Sequence, residues 1–177
     1  MKTRSALLSV VACLLLAAPV MADVVVLEPV QTAVTEEEGT ARVAVEFDLS
    51  GLRSGDGRCI DIATLTWSVS GAPEAEIAYL VSYPIDAAWH AQEVSAELEE
   101  LDVGETAAAS WEITPEEHEN GLGDIVRLDL TGLASTWAGN GAGNHGVVIE
   151  TGDIAAADLE AALSTLRLTV HYGFRAE

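Results

Sequence analysis

Ala41-Arg42-Val43-Ala44-Val45-Glu46-Phe47-Asp48-Leu49 puts Ala41, Val43, Val45, Phe47 and Leu49 on one side of the chain and Arg42, Ala44, Glu46 and Asp48 on the other. Period two is the signature of a β-strand with one face on a core and the other in water. The pattern recurs. Ala63, Leu65, Trp67 and Val69 alternate with Thr64, Thr66, Ser68 and Ser70; Val126, Leu128 and Leu130 alternate with Arg127 and Asp129; Leu166, Leu168, Val170 and Tyr172 alternate with Arg167, Thr169 and His171. Shorter strands are read at 24–27, 77–82, 107–113 and 146–150. Residues 91–101 have the Ala and Glu content of a helix, but Val94, Ala96 and Leu98 alternate with glutamates, so the stretch is read as a strand.

Ser50-Gly51, Ser54-Gly55-Asp56-Gly57, Ser70-Gly71, Asn120-Gly121 and the run from Gly139 to Gly146 punctuate these strands as turns. Helical signals are few. Thr114-Pro115-Glu116-Glu117 reads as cap, first-turn proline and acidic first turn. Thr131 is placed to cap a turn stacking Leu133 on Trp137, and residues 153–163 make an amphipathic helix packing through Ile154, Ala157, Ala161 and Leu163. The expected fold is all-β: a two-layer antiparallel β-sandwich, jelly-roll-like, with eight or nine strands and one or two short helices.

Residues 1–22 read as an export signal peptide. Lys2 and Arg4 precede an apolar stretch from Ala6 to Ala18, then Pro19 and the small-residue pattern Val20-Met21-Ala22 before Asp23. The apolar stretch is short of the roughly 20 residues a membrane-spanning helix needs. Val10-Val11-Ala12-Cys13 offers a lipoprotein-type cleavage as the alternative. The expected product is one domain, 23–177, without membrane insertion, in a secreted, periplasmic or cell-surface location. Cys13 would leave with the leader, so Cys59 would have no intrachain partner.

The leader holds two of the 8 Lys and Arg residues and none of the 29 Asp and Glu, so its removal takes the formal charge from −21 to −23. Nucleic acid and anionic lipid need a basic patch and are excluded as expected partners. Extracellular polysaccharide, neutral or bridged by a cation, and surface proteins remain.

Two segments are similar to a known family. Val45-Glu46-Phe47-Asp48-Leu49-Ser50-Gly51-Leu52 with the strand from Ile62 to Val69, and Leu128-Asp129-Leu130-Thr131-Gly132-Leu133 with Trp137 and Asn144-His145-Gly146-Val147-Val148-Ile149, resemble segments of the DNRLRE domain family; Leu166 to Tyr172 resembles its closing strand. The resemblance implies a jelly-roll-like sandwich of exported bacterial and archaeal proteins that accompanies polysaccharide-active or surface-anchored domains and is not catalytic. It also implies structural roles for Phe47, Asp48, Leu49, Asp129, Thr131, Trp137, Asn144 and Gly146. Some members bind carbohydrate.

Four tryptophans are candidate sugar platforms. Trp67 and Trp111 lie on the apolar sides of alternating strands and are assigned to the core; the resemblance assigns Trp137 there as well. Trp89 follows Tyr83-Pro84-Ile85-Asp86 in a loop, so Trp89, Tyr83 and His90 form the candidate ligand-binding set, with packing of Trp89 against a sheet edge as the alternative. Calcium is the candidate ion, with Asp56 and Asp61 as ligands and Glu36-Glu37-Glu38 as a second cluster. Gly141-Ala142-Gly143-Asn144-His145-Gly146 fits G-x-G-x-x-G, but a strand follows it where a dinucleotide site needs a helix. His90, His118, His145 and His171 show no zinc spacing, and no G-x-S-x-G elbow is present. The expected function is a non-catalytic binding module, with a structural subunit of a surface assembly as the alternative.

Overall fold

The computed structural model describes residues 23–52, 58–73, 76–91, 101–120, 124–140 and 143–174. Nine strands are described: β1 (Asp23–Leu27), β2 (Pro29–Glu37), β3 (Thr40–Phe47), β4 (Arg58–Ser68), β5 (Ala78–Pro84), β6 (Ala109–Ile113), β7 (Ile125–Asp129), β8 (Val147–Thr151) and β9 (Arg167–Phe174). They form a four-stranded sheet ordered β1-β9-β4-β7 and a five-stranded sheet ordered β2-β3-β8-β5-β6. All pairs are antiparallel.

The pairing is nested. β1 pairs with β9, β3 with β8, β4 with β7 and β5 with β6, as if the chain were folded at the β5–β6 connection and then rolled. Those pairs fall alternately in the two sheets, which is jelly-roll connectivity. β2 is an extra edge strand beside β3. The inward sides named by the alternation meet in one core: Val43, Val45 and Phe47 of β3, Leu65 and Trp67 of β4, Val126 and Leu128 of β7, and Leu168 and Val170 of β9. Trp137 belongs to it, and Trp111 is partly buried against it.

Among the described residues three helices flank the sheets: α1 (Pro115–Glu119), α2 (Thr131–Asn140) and α3 (Ala156–Ala162), the last running into a 3-10 turn over Leu163–Thr165. α1 has the expected start. Thr114 Oγ1 accepts from Glu117 N–H and the Glu117 carboxylate accepts from Thr114 N–H, a capping box. α3 packs partly as expected. Ile154 is buried and Leu163 packs against the core, but within the helix Leu159 and Ala162 are buried while Ala157 and Ala161 are exposed, because alanine-rich spacing leaves the apolar stripe poorly defined.

Other expectations change. β2 is a strand where no alternation marked one. It turns into β3 through Glu38 and Gly39, both at positive φ, as a tight two-residue hairpin turn requires. The outer face of the five-stranded sheet is dry at one end: Ala44, read as lying on the wet side of β3, is buried with Ala33 and Val148 under Ile85 and Trp89. Thr131 does not serve as a cap. Asp129 Oδ1 takes both Thr131 N–H (2.9 Å) and the Thr131 hydroxyl (2.6 Å), and Thr131 Oγ1 accepts from Ala63 N–H (3.0 Å), tying α2 to β4. The strand read over 91–101 and the turn at 54–57 fall largely outside the described residues. No helix among the described residues is long and apolar enough to cross a membrane.

The two bonds from Thr131, the hydroxyl first, hold the Asp129 carboxyl below its ordinary value of 3.8. The folded carboxyl therefore ionises more readily than the unfolded one. Its stabilisation is complete above 3.8 and is lost as pH falls through the lowered folded value. Asp129→Ala is expected to cost about 1 kcal/mol at neutral pH. Urea unfolding of both proteins should show the difference closing below pH 3.8.

Candidate functional site

The outer face of the five-stranded sheet is built in rows by its register. In the first row Ala33 of β2, Ala44 of β3, Val148 of β8 and Tyr83 of β5 lie side by side. The segment leaving β5 folds back over this row: Ile85 N–H donates to Gly146 O (3.0 Å), Asp86 N–H to Asp102 O (2.7 Å), and Ile85 pairs with Val103. Trp89 closes the row. It is 5% exposed, its indole N–H donates to His145 O (2.7 Å), and its own carbonyl accepts from the Gln31 amide (3.0 Å). Of the two readings of Trp89 the ring takes the packed one: it is a pin that holds a covering loop to the sheet. The small residues beneath explain it, since Ala33 and Ala44 leave room for an indole.

The next row is open. Thr35, Arg42, Glu150, Val81 and Ser110 follow one another across all five strands. Arg42 and Glu150 form an ion pair at 2.9 Å, so the middle of this face is locally neutral. Beyond it stands Tyr79, 49% exposed, opposite Glu112. Tyr79, Val81 and Tyr83 share the outward side of β5 because Ala78 and Leu80 belong to the core. Tyr79 and Tyr83 stand about 13 Å apart along the strand. At the β6 edge the face continues into a cleft of about 540 Å³, lined by Ser110, Glu112, Trp111, Glu116 and Asn120 among others.

The expected set is thus divided. Tyr83 is half-buried at the border of the covered row, Trp89 lies beneath the surface, and His90 is exposed beside it. Tyr79 was legible in the alternation of Tyr79-Leu80-Val81-Ser82-Tyr83; the cleft was not, because register alone sets Glu112 of β6 opposite Tyr79. Asp61 is exposed at a bulge of β4 in the other sheet, 3.7 Å from Cys59 Sγ, and Asp56 lies outside the described residues. Among the described residues no three His, Cys, Asp or Glu side chains are grouped to hold a metal.

The residues of the family resemblance have architectural positions. Phe47 and Leu49 are buried, and Asp48 Oδ1 accepts from Ser50 N–H (2.8 Å). Asn144 donates its amide to Phe47 O and accepts from Gly146 N–H, fastening the turn before β8 to the end of β3. No protein-family model matches the sequence, and no curated protein matches it.

Proposed function

We propose that the chain is an exported, non-catalytic binding module for extracellular carbohydrate, with the DNRLRE-like jelly roll as its scaffold. What supports this reading is the exposed Tyr79 ring on the outward side of β5, opposite Glu112, which lines a cleft together with Glu116 and Glu117. An aromatic ring offers an apolar plane to the C–H face of a pyranose. Glu112 and Glu116 accept hydrogen bonds from sugar hydroxyls, or share a cation with an acidic polymer. The chain's charge of −21 makes a neutral or cation-bridged polysaccharide the fitting ligand class.

The test is a glycan array probed with and without calcium, using Tyr79→Ala as the control. Tyr79 is half-exposed, so truncation should leave the melting temperature unchanged. It should weaken glycan binding about tenfold or more, equivalent to about 1.4 kcal/mol. Equal binding by both proteins would remove Tyr79 from the site. No binding by either would leave the second reading, a structural subunit of a surface assembly, which one observation favours: the edge of β1.

A further inference from the structure

We infer that this chain pairs with a second copy of itself along β1, joining two four-stranded sheets into one of eight strands across a two-fold axis. The inference deepens the second reading above and does not depend on glycan binding.

The edges of the sandwich are not alike. An open strand edge invites pairing unless proline, charge, a bulge or a neighbouring element guards it. β2 begins at Pro29, carries a bulge between Pro29 and Gln31, and ends in Glu36-Glu37. β6 and β7 lie against each other and close the far side of the sandwich. β1 has no proline and no bulge, and its one charge, Asp23, stands at its first position. Its register with β9 runs unbroken from Asp23 opposite Tyr172 to Leu27 opposite Leu168, and among the described residues no strand lies on its other side. Its outward side chains are Val24 at 54% and Val26 at 57% exposure, and across β9 stands Ile62 at 51%.

The sequence of β1 fits a copy of itself. An antiparallel pair centred on Val25 sets Val24 opposite Val26 of the second copy and Val26 opposite its Val24, with Asp23 opposite Leu27. No like charges face each other, and β-branched pairs are favourable across strands. Charge selects the same place. In a chain of formal charge −21, self-association needs a surface poor in unpaired acids. The outward positions of β1 and β9 include Val24, Val26, Arg167, Thr169 and His171, and the carboxylate at their border, Glu28, is paired with Arg167 at 3.1 Å.

Sedimentation velocity over a concentration series tests this. The protein, purified after export, should form a dimer that tightens as salt screens the repulsion between copies. Val24→Lys with Val26→Lys puts lysine opposite lysine and should weaken the dimer at least about tenfold. Val24→Glu with Val26→Lys puts opposite charges across the same axis and should restore it to within about threefold of the native affinity. Thr64→Lys, on the same face two strands inward, should leave it unchanged. All variants are compared at matched melting temperature, since these positions face water. A monomer at every concentration overturns the inference. So does a dimer that loosens with salt, one indifferent to the double lysine variant, one not restored by the charge pair, or one broken by Thr64→Lys.

Discussion

Trp89→Ala is expected to lower stability by about 3 kcal/mol and to move the thermal midpoint down by roughly 10 °C for a chain of this size. The indole lies 5% exposed over Ala33, Ala44 and Val148, contributed by three different strands. Alanine cannot refill that volume, because its floor is made of side chains that are themselves minimal. The indole N–H also satisfies His145 O at 2.7 Å, and the latch from Gln31 to the Trp89 carbonyl depends on the loop staying in place. Loss of the ring should therefore release the whole cover. Hydrogen exchange should speed at Ile85, Asp86 and Gly104, whose N–H groups are held by Gly146, Asp102 and Pro84 carbonyls. Chemical unfolding and exchange together make the check. An unchanged midpoint with unchanged exchange would mean that the ring packs on nothing that matters. The result bears on function as well: a Trp89 variant that loses ligand would report a lost fold, which is why Tyr79→Ala is the informative control.

β3 and β9 were readable because each sets large apolar side chains against charged or hydroxyl ones. β2 was not. Gln31-Thr32-Ala33-Val34-Thr35 has little contrast between its sides, and an edge strand half-covered on both faces needs little. Its hairpin turn is Glu38-Gly39, where an Asn-Gly or Asp-Gly pair would have announced it; Glu38 adopts φ 48° without the usual residue type. The depth at which Trp89 is buried was hidden for a related reason. Period two tells which side a residue takes, and it assumes that one of the two sides is wet. Ala44 was placed on the wet side of β3 correctly by phase and wrongly by environment, because a loop more than 40 residues away in sequence covers it. The capping box of α1 was legible because its partners are three residues apart; the cleft beside it was not, because it depends on how β5 and β6 align.

Gly146→Ala should be the most damaging of these substitutions, at about 4 kcal/mol or more, enough to prevent folding in a marginally stable chain. Gly39 supplies the comparison. Both glycines sit at nearly the same left-handed angle, φ 86° at Gly146 and 83° at Gly39. That angle costs an L-residue about 1–2 kcal/mol at either position. The difference is space. A methyl group at Gly39 meets nothing within 4 Å. At Gly146 it would meet the Val45 backbone carbonyl at 2.0 Å and the Glu46 backbone at 2.9 Å. Those atoms belong to β3, paired on both sides by β2 and β8, so they cannot withdraw without breaking two ladders. The contacts around the site would go with them. Asn144 reaches both Phe47 O and Gly146 N–H, and Ile85 N–H rests on Gly146 O, so the turn, the end of β3 and the covering loop share one point of closest approach. Gly39→Ala should cost about 1 kcal/mol and leave a cooperative transition. Gly146→Ala should yield insoluble protein, or a soluble one whose midpoint falls far below that of Gly39→Ala. Equal midpoints for the two variants would show that β3 yields where the nested pairing requires it to be rigid.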